Sequence, residues 1–163
     1  MKKILAILLL AFVFISCSDN AEKENFTESD YSIKDTTENL STFALLSDTI
    51  LYTPDGENVL DGDYFDYYFG NSELLEKISD YAYFTSATTA VCEVGIFKVK
   101  DNDTKEALLL AIEERKENLI STYENYSPED VEIAKGLLKG SFDDIVYFAM
   151  TTENDSVKSA IEK

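Results

Sequence analysis

Few residue types in this chain can do chemistry. Histidine and tryptophan are absent, arginine occurs once, at Arg115, and cysteine twice, at Cys17 and Cys92. Without histidine the chain lacks the commonest general base and the commonest metal ligand together. Carboxylates are abundant: 32 Asp and Glu against 14 Lys and Arg leave a net charge of −18. Such a surface repels phosphate backbones and anionic head groups, so nucleic acid is excluded as a partner. A calcium loop of the EF-hand kind needs acids at alternate places, then glycine sixth and glutamate twelfth. Counted from Asp101, the fifth place is Lys105 and the sixth Glu106; counted from Asp61, the fifth is Phe65. Both registers fail, and "DGENVLDGD" reads as a solvated acidic turn. Zinc lacks its imidazoles and paired thiols. The nucleophile elbow and the phosphate-binding glycine loop are missing as well. Carboxylate-pair hydrolysis, as in glycosidases, stays open as an alternative, but acids this common single out no pair. The expectation is a protein with no cofactor, no metal and no catalytic residues.

Two charged residues stand out because they interrupt apolar faces. Arg115 lies on the apolar line of a helical stretch, between Ile112 and Leu119, and Glu93 lies within the strand-like run "TAVCEVGIFKVK". A charge on each packing face predicts that the two meet, with guanidinium and carboxylate as a bidentate structural pair. The competing reading has Arg115 reaching solvent along the helix edge. In "DYFDYYFG" aromatics flank Asp63 and Asp66. Ring faces beside acids suit a cationic or sugar ligand; the plainer reading, favoured here, is core packing with acids at the solvent edge. Cys92, inside an apolar run, reads as a small buried hydrophobe.

Cys17 is different. Lys2 and Lys3 precede an unbroken apolar run from Ile4 to Ile15, and Cys17 follows at the seam with a polar stretch. The run fits a secretory signal and is too short for a bilayer span, which needs about 20 residues. Phe14-Ile15-Ser16-Cys17 resembles the lipobox of bacterial lipoproteins, with Phe14 where Leu is usual. That resemblance implies alkylation of the Cys17 sulfur by diacylglycerol and a mature chain starting at that residue. Two acyl chains anchor a protein where one barely does, each buried CH₂ contributing about 0.8 kcal/mol. The alternative is a secreted product cut after Ser18. With Cys17 alkylated, Cys92 has no intramolecular partner, so no disulfide is expected.

These residues must be positioned by one domain, since 163 residues suffice for one core. The expected organisation is a signal peptide over 1–16, an acidic flexible tether over 17–41 and a folded α+β domain over 42–163. The tether reading rests on the polar composition and weak periodicity of "SDNAEKENFTESDYSIKDTTENLS". Beyond it, "NSELLEKISDY" reads as a helix capped by Ser72, and "YAYFTSATT" and "AVCEVGIFKVK" read as strands. Asp103 and Glu106 suggest a capping box for a long helix that ends before Ser127-Pro128. "VEIAKGLLKG" and "DDIVYFAMTT" read as a strand pair around Gly140, and "DSVKSAIEK" as a closing helix. Strands gathered around one long helix without a βα repeat predict α+β: an antiparallel sheet packed on that helix.

The stretch from Ala90 to Gly140 resembles the family called domain of unknown function 4358, whose members are mostly small lipoproteins of Gram-positive bacteria. Its pattern falls on Glu93, Ile96, Phe97, Lys98, Asp101, Arg115, Tyr126, Pro128 and Gly140, with Val91 where Ala is usual. The likeness spans roughly residues 60 to 163. It implies an envelope lipoprotein and supplies no catalytic residues. The function expected is that of a lipid-anchored, extracytoplasmic binding or interaction module. Its partners would be the membrane, through lipidated Cys17, and a protein, peptide or small ligand. An accessory structural role in the envelope is the second reading, a carboxylate-based hydrolase the third.

Overall fold

In a computed structural model, residues 26–163 are described, and their order is set by five antiparallel strands. These are β1 (Thr49–Tyr52), β2 (Ile78–Ser86), β3 (Glu93–Val99), β4 (Leu138–Phe142) and β5 (Ile145–Met150), arranged β1-β2-β3-β5-β4. The helices are α1 (Ile33–Leu40), α2 (Gly62–Phe69), α3 (Asn102–Tyr123), α4 (Pro128–Lys135) and α5 (Asn154–Ile161). The fold is α+β, a single domain with one antiparallel sheet.

Every residue of β5 is buried, and all but Lys98 of β3. Side chains alternate between the faces of a strand, so continuous burial means that both faces are covered. One face carries Phe97, Phe148, Tyr83 and Met150 under α2, α3 and α4. The other carries Val94, Ile96, Tyr147 and Ala149 under α1 and α5. The molecule is therefore three layers, where the sequence predicts a sheet on one long helix.

The second cover comes from a segment expected to be tether. Ser32 accepts from the Asp35 amide at 3.1 Å and starts α1. Ile33, Thr37 and Leu40 of that helix are buried. Burying Ile33 and Leu40 contributes on the order of 1.5–3 kcal/mol each, enough to dock an otherwise acidic helix. The chain ahead of α1 is fastened too. Ser29 Oγ donates to Asp144 Oδ1 at 2.6 Å, and Lys98 Nζ donates to the Ser29 carbonyl at 2.8 Å. The boundary at residue 42 is thus corrected: residues 26–41 belong to the folded unit, because three well-spaced anchors outweigh an average composition. Residues 17–25 of the expected tether, and the signal segment, lie outside the described residues.

Other boundaries move for local reasons. "DYFDYYF" is helical, capped by Asp61, whose Oδ1 accepts from the Tyr64 amide at 2.9 Å, and ended by Gly70 at φ 70°. Ser72–Lys77 is a short 3-10 turn led by Asn71, and β2 takes over at Ile78. The cap of α3 is Asp101, two residues before the expected one; its Oδ1 accepts from Thr104 N at 2.7 Å and Thr104 Oγ1 at 2.6 Å. "VEIAK" belongs to α4, which Pro128 starts, and only "LKGSF" pairs with β5. The hairpin turns at Asp143-Asp144, so Gly140 sits within β4 opposite Tyr147, whose ring fills the space a side chain would need.

Candidate functional site

β3 begins with Glu93, whose register partners are Thr85 on β2 and Met150 on β5. Its side chain faces α3, where Arg115 lies between the buried Ile112 and Leu119. Arg115 Nη2 donates to Glu93 Oε1 at 2.6 Å and Nε to Oε2 at 3.3 Å. The carboxylate is 4% exposed and the guanidinium side chain 13%. Arg115 does not run out to solvent along the helix edge; the structure brings the two charges together side-on. Burial works against the guanidinium charge and is the largest influence on it, but the Glu93 carboxylate overrides that and holds Arg115 above its usual pKa. The Tyr68 ring covers the guanidinium from α2, its centroid 5.2 Å from Cζ.

Above the pair opens a cleft of about 150 Å³. Tyr67 and Tyr68 form one wall and Tyr123 of α3 another. The turn between β2 and β3 forms the third, with the hydroxyls of Ser86 and Thr88 2.9 Å apart. That turn is held in place from α4: Asp130 Oδ1 accepts from the Val91 amide at 2.6 Å, while Ser127 Oγ donates to the other carboxylate oxygen. Behind the pair, the Tyr83 hydroxyl is buried, with Thr85, Tyr68, Glu93 and Arg115 as its polar surroundings. Burial, before any nearby charge, raises the pKa of Tyr83 and of Tyr68, so both rings stay neutral phenols.

The tyrosines are what the sequence alone does not single out. "DYFDYYF" divides by helical spacing: Phe65 and Phe69 enter the core, while Tyr64 and Tyr67 remain exposed and Tyr68 is half-buried. The run is core and cleft wall at once, which neither reading of it anticipated. The i, i+4 pairing of the two phenylalanines was the available signal. Asp63 and Asp66 are exposed on the same helix, and Asp61 and Asp63 line a shallow depression with Tyr64.

Cys92 is half-buried on the opposite sheet face, its thiol 3.5 Å from the Leu45 carbonyl. Burial, helped by the charge of neighbouring Glu93, pushes that thiol up to about 11. Cys17 lies outside the described residues. Among the described residues no group of three or more His, Cys, Asp or Glu side chains could hold a metal ion, and no helix is long and apolar enough to cross a membrane.

No curated protein and no solved structure matches the chain. Residues 60–151 do match a family, a span that begins just before α2, ends at β5 and takes in every wall of the cleft along with Glu93 and Arg115. The chain belongs to the family described as Domain of unknown function (DUF4358).

Proposed function

We propose that this protein is an extracytoplasmic lipoprotein, anchored to a bacterial membrane through Cys17, whose folded domain is a non-catalytic binding module. The address rests on Phe14-Ile15-Ser16-Cys17 behind its apolar run. The binding role rests on the cleft over Glu93 and Arg115. Glu93 has both oxygens accepting from one guanidinium, an arrangement that presents fixed polar groups at the floor of the cleft. Tyrosine walls supply rigid contact area with few side-chain torsions to freeze.

Fractionation of cells expressing the full chain tests the address. The protein should sediment with membranes and carry fatty acids on Cys17 by mass spectrometry. Cys17→Ser should lose the acyl mass and leave the membrane fraction. An unacylated product beginning at Asp19 would overturn the anchoring.

A further inference from the structure

The cleft over Glu93 and Arg115 has a size, a polarity and a charge, and together they narrow what fits. This inference rests on the binding role above and names its ligand class. A cavity of roughly 150 Å³ holds a ring the size of benzene, and this open cleft has about that volume, so a larger substituted ring would keep part of itself in solvent. The cleft is well below the ~300 Å³ at which pockets for drug-sized ligands begin.

Polarity comes from the floor and the turn. The two bonds to Glu93 use two of the five guanidinium N–H donors of Arg115. Among the described residues no acceptor takes the other three, and Arg115 lines the cleft. The Ser86 and Thr88 hydroxyls bond each other and accept from the Thr88 and Ala90 amides, which leaves one O–H and one lone pair for a ligand. Tyr67 and Tyr123 add a smaller apolar part to a lining that is mostly polar. A ring that bears several hydroxyls and one C–H face satisfies both sets of groups together.

Charge decides among the remaining candidates. A carboxylate or phosphate would meet Arg115 already neutralised, and would approach a chain of net charge −18. A cation would find the cleft's carboxylate already matched and a guanidinium beside it. A neutral ligand has neither cost. We propose that the cleft binds a single neutral sugar ring, free or at the end of a glycan, with Arg115 and the turn hydroxyls on its hydroxyl groups and Tyr67 against its face.

The test is a titration of the full chain in detergent micelles, read by backbone amide chemical shifts. The probes are glucose, galactose, mannose and N-acetylglucosamine, beside acetate and lysine methyl ester. At least one sugar should give saturable shifts at residues 86–93 and at Tyr67 and Tyr68. Tyr67→Ala removes a ring that is 73% exposed, so it should leave the fold intact and weaken that sugar at least tenfold. Leu110→Ala, at an exposed position of α3 outside the cleft, should not change it. Cleft shifts from acetate or lysine methyl ester alone would overturn the sugar assignment and leave the binding role standing. Sugar shifts confined to other surfaces would overturn the assignment as well. Silence from every probe at the cleft would overturn both.

Discussion

Arg115 and Glu93 depend on each other, and the cost of separating them is measurable. Arg115→Ala strands a buried carboxylate, which costs about 3–5 kcal/mol, whereas replacing both partners with apolar residues of similar volume is often close to neutral. Urea unfolding should therefore find Arg115→Ala less stable than the double variant Glu93→Leu/Arg115→Met. If the single variant keeps full stability, the pair does not hold helix and sheet together. These two residues could be found in the sequence because each is a charge where the periodicity demands an apolar side chain. The cleft's other groups carried no such contradiction. A tyrosine on a helix, or a serine and threonine in a turn, breaks no local rule, so Tyr67, Ser86 and Thr88 became visible only once the chain brought them around the pair.

At the scale of elements, the caps and the two-faced sheet show where local reading works and where it stops. Strands β2 and β3 and helices α3 and α5 lie close to where β-branched runs and helical spacing put them. Helix α1 was hidden because three anchors in eight residues hardly change an acidic composition, and because docking rather than propensity stabilises so short a helix. The cap of α3 gives a pH test. Hydrogen bonds from the Thr104 hydroxyl, then the Thr104 amide, lower the Asp101 pKa in the folded chain. A lowered folded pKa stabilises above the unfolded value, near 4, and that contribution is lost as pH falls through the folded value. Asp101→Ala should cost about 1 kcal/mol at neutral pH. The gap between variant and parent should close in acid, below about pH 4. An equal gap at neutral and strongly acidic pH would remove the cap from the account.

For the whole molecule, the second face of the sheet makes the residues before 42 part of its stability. Leu40 is fully buried beneath the sheet, with α5 beside its helix. Leu40→Ala should cost about 2–5 kcal/mol, read as a shift in the urea midpoint, whereas a loose linker would tolerate the change. Burying both faces also explains how a chain this acidic stays folded: among the described residues the carboxylates sit mostly at the periphery, and the two buried ones, Glu93 and Asp144, are each matched by a cation.

The Ser29 clasp has a mechanical consequence. Ser29 precedes α1 in the chain yet is tied to Asp144 at the β4–β5 turn and to Lys98 on β3. A force applied from the amino end would meet those bonds before it reached α1. The load would enter at the corner where the central strand β3 meets β5, and α1, with the apolar layer beneath it, would stay shielded until the clasp gave way.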